Sequence, residues 1–489
     1  MALGTFYIQT FGCQMNVNDS DWLARALKSR GFVEVGFKEA EIFILNTCSV
    51  REKPEQKVYS ELGRIASFAK AHGRHDITVA VGGCVAQQVG ADLSKRFPQV
   101  RLVFGTDGIA EAPRAIEQLA EDPALRINLL DFASHYEERD NVWQGGAPPT
   151  AFVNIMQGCD NFCTYCIVPF VRGRQKSRKP EAVLDECRQL IDHGAREITL
   201  LGQNVNSYGH DSGDMPFYKL LHAVAALPGL QRLRFVTPHP KDIAPEVIES
   251  FADLPVLCPR LHLPLQSGSD AILAKMGRRY TASRYMGIVE ALKKARPDML
   301  FTTDIIVGFP GETEDDFAAT LSVMKDVGFA SSFSFVYSDR PGAKAVLLPG
   351  KLDRAVSLER LSRLQGWQNS FSENLLAEQT GKVYTVLIEN RSLRAPLPDD
   401  GLPAHETTPV TLENGWESWQ GKTGNGLIVN VPLPPREQAV FQTHNKAHEP
   451  IQRQAQACES SPWAGAMVSV SIEAAARHSL KGKLAGMTW

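Results

Sequence analysis

Three short apolar runs near the amino terminus each end at a cysteine: YIQTFGC, IFILNTC and ITVAVGGC. Amphipathic stretches separate them, from Asp19 to Arg30 and from Glu52 to Ala71. Strands alternating with helices imply a parallel sheet, because a parallel neighbour is reached only through a crossover. The carboxyl ends of such strands share one edge, where ligands of open α/β sheets sit. Cys13, Cys48 and Cys84 each occupy such an end, at intervals of 35 and 36 residues, about one strand–helix unit each. The three thiols are therefore expected to meet at one edge of an α/β domain over residues 1–125 and to hold a metal cluster. Three unrelated buried thiols are the alternative, since free cysteine is among the most buried residue types. A helical repeat array of similar period is disfavoured, because only three units occur and each opens with a strand.

A second trio, Cys159, Cys163 and Cys166, lies within CDNFCTYC at a three-then-two spacing. Three thiolates can hold three corners of a cubane iron–sulfur cluster and leave the fourth iron open to a substrate or cofactor. Zinc ordinarily needs a second short Cys or Cys/His pair, and none lies nearby. A disulfide framework needs an oxidising compartment. The start, MALGTFYIQTFG, has no basic region followed by an apolar stretch, and no apolar run reaches membrane-spanning length. The expectation is a reducing cytoplasm and no membrane, with the nine cysteines serving as ligands or buried thiols. Cys187, Cys258 and Cys458 belong to no ligand motif.

At 489 residues the chain has the length of about three domains. Residues 134–150 are polar, then rich in Gly and Pro, and read as a linker. Residues 151–378 alternate again, with strand candidates FVNIMQG, EITLLGQ, LRFVT, LHLPLQ, FTTDIIVGF and SSFSFVY before a closing helix at about Ser357–Glu378. Six strand–helix units fit a partial (β/α)6 barrel, whose loops after the strands carry chemistry. CDNFCTYC follows the first of these strands. Residues 379–489 change character: GKVYTVLIEN, GLIVNVPL and MVSVSIEA read as strands of a small antiparallel barrel. Segments around 394–418 and 434–463 look inserted into it.

TFGCQMN (10–16), NTCSVREK (46–53) and GGC (82–84), followed by the CxxxCxxC loop, resemble the methylthiotransferase family of radical S-adenosylmethionine (radical SAM) enzymes. IVPFVRGRQKSR (167–178), LLGQNVNSYG (200–209), LHLPLQSGSD (261–270) and DIIVGFPGETEDDF (304–317) extend the resemblance over nearly the whole chain. It implies a radical SAM barrel between an amino-terminal methylthiotransferase domain and a TRAM-like RNA-binding barrel. It also implies two [4Fe-4S] clusters. The cluster on Cys159, Cys163 and Cys166 would cleave SAM to a 5′-deoxyadenosyl radical, while an auxiliary cluster on Cys13, Cys48 and Cys84 would carry the sulfur. Gln14 and Met15 resemble the branch that acts on carbon 2 of isopentenylated adenosine beside the tRNA anticodon. Branches acting on threonylcarbamoyl-adenosine or a protein aspartate differ there. Implied partners are the tRNA anticodon stem-loop, an electron donor and a sulfur or cluster-assembly source. An iron–sulfur RNA-binding protein without turnover is the non-enzymatic alternative.

Further positions follow from the resemblance. Tyr165 matches the aromatic that packs on adenine, and Gln203 and Asn204 match contacts to the methionine half of SAM. Gln266, Ser267, Gly308 and Gly311 stand at the barrel mouth, suited to its ribose or adenine. Turn geometry competes for the glycines and helix capping for Gln203 and Asn204. Arg172, Arg174, Lys176, Arg178 and Lys179 form an acid-free run after the cysteine loop and are candidate phosphate contacts, with Arg278 and Arg279 as a further basic pair. A net charge of −3 leaves RNA binding open if the cations share a face.

Overall fold

Strands covered on both faces carry unbroken apolar runs, and two segments of the first domain do so. Ile42–Thr47 and Thr78–Gly83 are buried along their whole length. A computed structural model describes residues 3–49, 54–74, 77–139, 145–394, 408–409, 412, 415–435 and 463–487. Its amino-terminal sheet holds β1 (Thr5–Thr10), β2 (Val33–Glu34), β3 (Ile42–Thr47), β4 (Thr78–Gly83), β5 (Val100–Phe104) and β6 (Ile127–Leu129). The order is β2-β1-β3-β4-β5-β6, every pair parallel. Helices Gln14–Ser29 and Ala112–Glu121 cover one face through Leu23, Leu27, Ile116 and Leu119, against Ile42 and Ile44. Helix Pro54–Ala71 covers the other through Val58, Leu62 and Ile65, against Phe43 and Leu45. The first helix starts at Gln14, five residues before the predicted Asp19, because the chain turns helical directly after Cys13. Glu52, the expected start of the second helix, lies outside the described residues.

The barrel follows the expected strands: β7 (Thr150–Asn154), then the short pair β8 (Met156–Gln157) and β9 (Lys176–Ser177), then β10 (Glu197–Leu201), β11 (Arg232–Phe235), β12 (Arg260–His262), β13 (Leu300–Val307) and β14 (Ser331–Val336). Two three-stranded parallel sheets form, β7-β10-β11 and β12-β13-β14, joined by a bridge between Leu233 and Leu257. Spatial order equals chain order, with β7 and β14 as the free edges of an open barrel. One continuous apolar core packs its helices on the outside. Helix Arg354–Ala377 closes this part.

The carboxyl-terminal strands are β15 (Val383–Arg391), a minor pair β16 (Leu393–Arg394) and β17 (Thr408–Pro409), then β18 (Glu417–Thr423), β19 (Ile428–Leu433), β20 (Met467–Ala475) and β21 (Leu480–Met487). Five of them close as β15-β18-β19-β21-β20. The pairs are antiparallel except β19 with β21, which run parallel. β18 and β21 escaped the sequence reading, because ESWQGKT and LKGKLAGM are polar and glycine-rich. The start of β18 also corrects the supposed insertion at 394–418, since Glu417 and Ser418 belong to the barrel. Most of that segment, nearly all of 434–463, and Cys458 lie outside the described residues.

Arginines seat this barrel. Arg232 donates to the carbonyls of Lys422 and Thr385 at 2.7 and 2.8 Å, and Arg234 to Thr423 at 3.1 Å. Arg260 donates to Gly426. Arg232 and Arg260 open their strands, so the small barrel sits at the end opposite the mouth. Residues 134–139 are irregular and held down, Arg139 pairing with Asp19 at 2.7 Å and Glu138 with Arg178 at 2.7 Å.

One buried pair permits a stability test. Glu312, 5% exposed, accepts from Arg360 at 2.7 Å and from the Gly308 amide at 2.8 Å. Burial, partly offset by these donors, raises its pKa above the ordinary carboxylate value. Arg360→Met strands that charge and is expected to cost about 3 kcal/mol in urea unfolding. Adding Glu312→Gln should recover part of the loss, and a single-variant loss below about 1 kcal/mol would contradict the pairing.

Candidate functional site

Because β1, β3 and β4 are adjacent and parallel, the residues that follow them emerge side by side. Cys48 follows β3 directly, and Cys84 opens helix Cys84–Val89 after β4. Cys13 stands at the amino-terminal cap of helix Gln14–Ser29. Gly12 makes the approach possible: its φ is 119°, and a Cβ there would lie 2.2 Å from Cβ of Cys48. Asn16 ties the edge together. Its Nδ2 donates to Asn46 Oδ1 at 3.1 Å and to the Thr47 carbonyl at 2.8 Å, while its Oδ1 accepts from Cys13 Sγ at 3.4 Å. A hydrogen bond with Cys48, the Arg172 guanidinium and the backbone amides of Asn16 and Met15 outweigh burial and lower the Cys13 pKa to about 5.

The second trio hangs from β7 on a loop clamped at its base by the antiparallel pair β8–β9. The Cys166 amide donates to the Cys163 carbonyl at 3.0 Å, and the Val168 amide to Cys166 Sγ at 3.4 Å. Thr164 fastens the tip, its amide to Met276 O at 2.9 Å and its hydroxyl to Lys275 O at 2.8 Å. Tyr165 lies against Ile272, Met276, Phe309 and Ala345. Burial pushes Cys159 up to about 11, and burial with the neighbouring Cys163 pushes Cys166 up to about 12. Two donors face Cys163: Arg278 Nη1 at 3.6 Å and His239 Nε2 at 4.0 Å. Burial, with Arg278, Lys241 and Arg279 nearby, drops the His239 pKa to about 2, so the ring is neutral. Its Nδ1 accepts from the Lys241 amide, which leaves the proton on Nε2, towards the sulfur.

The first trio meets the segment that follows the second: Cys84 packs on Ile167 and Val171, one and five residues after Cys166. Thr106 donates to the Val171 carbonyl at 2.9 Å, and Gln157 and Lys176 both donate to Asp107. Among the described residues, no three Cys, His, Asp or Glu side chains converge closely enough for a single metal ion. None of the eight described cysteines forms a disulfide. Cys187 and Cys258 are buried.

The remaining expected contacts divide. Gln203 accepts from the Gly158 amide at 2.6 Å and touches Met15 Sδ, so it braces the cysteine loop against the first helix. Asn204 is buried and spends its amide on Asp242 Oδ2, at 2.7 Å, and the His239 amide, at 3.0 Å. Gln266 adopts a φ of 70° at the mouth. Ser267 is fully buried with its hydroxyl against Thr320, which removes it from any ligand surface. Gly308 serves a turn, with a φ of 69° and Ser357 Oγ 2.3 Å from where a Cβ would stand. Gly311 donates to Gly350 O at 2.7 Å.

The basic run does not form an exposed stripe. Arg172, Lys176 and Arg178 are 4–5% exposed. Arg172 binds Asn16, Lys176 binds Asp107, and Arg178 binds Glu138 and Glu186. Carboxylates brought in from elsewhere in the chain pair Lys176 and Arg178, while Arg172 faces Asp19 only at 3.9 Å. Arg174 and Lys179 are exposed, and Arg278 is buried beside Cys163. His239 and Asp242 were missed, although TPHP directly after β11 placed them at a strand end.

Residues 153–324 match the Radical SAM superfamily, and residues 5–105 match the Uncharacterized protein family UPF0004. With the open six-stranded barrel and its cysteine loop, this defines a radical SAM protein. A tRNA-2-methylthio-N(6)-dimethylallyladenosine synthase of Nitratidesulfovibrio vulgaris (strain DP4) is 57% identical over 489 residues, covering 99% of each chain. Its namesakes in Oleidesulfovibrio alaskensis and Lawsonia intracellularis are 56% and 50% identical, covering 99% and 89% of this chain and 98% and 94% of theirs. The chain belongs to the tRNA-2-methylthio-N(6)-dimethylallyladenosine synthase family. Among solved structures, the radical S-adenosylmethionine methyltransferase TsrM from Kitasatospora setae, with cobalamin and a [4Fe-4S] cluster bound, matches at a TM-score of 0.51. Its identity is 14%, over 69% of this chain and 72% of that one, a likeness of fold.

Gly12→Ala should disorganise the amino-terminal trio while sparing the other. Iron in the reconstituted variant is expected to fall by about half. Wild-type iron content would show that the close approach of Gly12 to Cys48 does not matter.

Proposed function

We propose that this chain inserts a methylthio group at carbon 2 of isopentenylated adenosine beside the anticodon of tRNA. The shared name and full-length likeness of its relatives support that substrate. The observation that carries the chemistry is that Cys84 of the first trio packs on Ile167 and Val171, which follow the second trio in the chain. Thiolate sets beside buried arginines suit iron–sulfur clusters. Cys13 and Cys48 are within hydrogen-bonding reach of each other, as neighbouring ligands of one cluster would be. In this reading Cys159, Cys163 and Cys166 hold one [4Fe-4S] cluster, and Cys13, Cys48 and Cys84 hold the other. The domains are 1–125, carried on to Leu129 by β6, then 151–378 and 379–489, with 134–150 connecting the first two.

When bound, the clusters and SAM supply an electron, a hydrogen-abstracting radical and the sulfur group. The chain's residues position and protect. Arg278 and His239 donate toward Cys163 and steady its thiolate. Tyr165, backed by Met276 and Phe309, offers a flat wall for adenine. Gln203 braces the loop through Gly158, and Ile167 with Val171 keeps water from Cys84. Gln266 and the Gly308 and Gly311 turns shape the mouth.

For RNA, Arg174 and Lys179 are the exposed cations of the run. The Arg174 guanidinium lies 5.5 Å from the ring centre of Phe162, itself 40% exposed, a surface that offers both phosphate and stacking contacts. The terminal barrel adds a second RNA surface. An electron donor and a sulfur or cluster-assembly source complete the cycle, in the cytoplasm where tRNA is processed. No helix among the described residues is long and apolar enough to cross a membrane.

A deletion strain should lose the methylthio nucleoside and accumulate isopentenyladenosine, read by mass spectrometry of digested tRNA; retention of the methylthio group refutes the substrate. With SAM and dithionite, reconstituted Cys163→Ala should form no 5′-deoxyadenosine. Cys48→Ala should still form it but give no methylthio product. A Cys48→Ala protein with full iron content would remove that residue from the auxiliary site.

A further inference from the structure

Arg172 belongs by sequence to the loop of the second trio, six residues after Cys166, yet it spends its guanidinium on the first. It caps the short helix Val168–Val171, its amide donating to Val168 O at 2.8 Å. The side chain then crosses the boundary. Nη2 donates to Asn16 Oδ1 at 3.1 Å and stands 3.9 Å from Asp19 Oδ2, while Nη1 lies 3.9 Å from Met15 Sδ. Asn16 Oδ1 is the same atom that lies 3.4 Å from Cys13 Sγ, and the other end of that amide holds the carbonyl before Cys48. Val171, next to Arg172, packs on Cys84. One buried cation therefore touches the Asn16 amide beside Cys13 and Cys48, and reaches Cys84 itself. Asp19 is only partly available to neutralise it, because its Oδ1 already serves Arg139 at 2.7 Å and Asn154 at 3.3 Å.

We propose that Arg172 is a positioning residue with two effects: it fixes the spacing of the two thiol trios, and it places a positive charge against the auxiliary cluster. The proposal rests on the cluster assignment above. A fixed cation beside an anionic cluster favours its reduced, more negative state, so it raises the reduction potential. The planar fork satisfies Asn16 while facing Asp19 and Met15, which the point charge of a lysine does not reproduce. The QMN that follows Cys13 thereby acquires a role: Met15 and Asn16 form the socket for a residue of the other trio's loop.

The test is a potentiometric titration of the reconstituted full chain, followed by electron paramagnetic resonance without tRNA, together with product counting. In Arg172→Met the auxiliary potential should become more negative and its spectrum change, with the SAM-binding cluster unmoved. Methylthio transfer per 5′-deoxyadenosine formed should fall about 10- to 100-fold. Arg172→Lys should restore most of the potential but not the transfer. If Arg172→Met loads both clusters with wild-type auxiliary potential and spectrum, or shifts both clusters alike, the proposal is overturned. If Arg172→Met fails to load, Arg172→Lys decides: full transfer in that variant also overturns it. The potentials are read without substrate, so an error in the tRNA assignment leaves this test standing.

Discussion

Two nearly buried carboxylates on the amino-terminal domain, Asp19 and Asp107, set where that domain meets the barrel. Asp19 receives Arg139, Asn154 and, at longer range, Arg172. Asp107 receives Lys176 and Gln157. Buried pairs of this kind contribute little net stability, because desolvation offsets most of the attraction. Their effect is registry, since a shift that separated either carboxylate from its cation would leave a buried charge unpaired. An apolar boundary alone tolerates sliding by a side chain's width. Chemistry that passes a group between two trios does not, because proximity counts at the scale of a bond.

The strand-end and loop positions of the six candidate cysteines were legible in the sequence for a simple reason. Adjacent parallel strands project their following residues to one edge, so a cysteine recurring at each strand end needs no long-range information to be placed. The basic run was not legible in that way. Lys176 meets a carboxylate 69 residues earlier, and Arg172 an amide 156 residues earlier. Linear inspection displays the cations and hides their partners, so a set of buried ties read as a phosphate-binding stripe. Asn204 and Ser267 show the same limit: the sequence places them after strand ends, but not the Asp242 and Thr320 partners their polar atoms meet in the fold. β18 and β21 were lost because every second inward position can be small, as Gly421 is within β18.

Backbone strain marks the mouth independently of any motif. Among the described residues, four non-glycine residues adopt positive φ: Phe162 at 49°, Thr237 at 60°, Gln266 at 70° and Arg279 at 56°. Phe162 sits in the cysteine loop, and Thr237 and Gln266 follow the ends of β11 and β12. Such conformations persist only where surrounding contacts over-determine them. Thr237 is held by its hydroxyl to Gly202 O, and Gln266 by its amide to Asp304 O at 2.8 Å.

The seat of the terminal barrel constrains how one RNA could reach both ends. Arg232 and Arg260 anchor it at the starts of β11 and β12, whereas the cysteine loop stands beyond the end of β7. A strand such as β10 is about 16 Å long at the usual rise per residue, so the arginine seat lies about one strand length from the mouth. A nucleotide at the mouth and a phosphate on the terminal barrel must therefore belong to a molecule running alongside the strands. A stem carrying a loop at its tip has that shape, and a short single-stranded oligomer held at the mouth alone does not. In the proposed reading, the mouth and the terminal barrel would share one RNA only if it is extended and structured, the form a stem-loop presents.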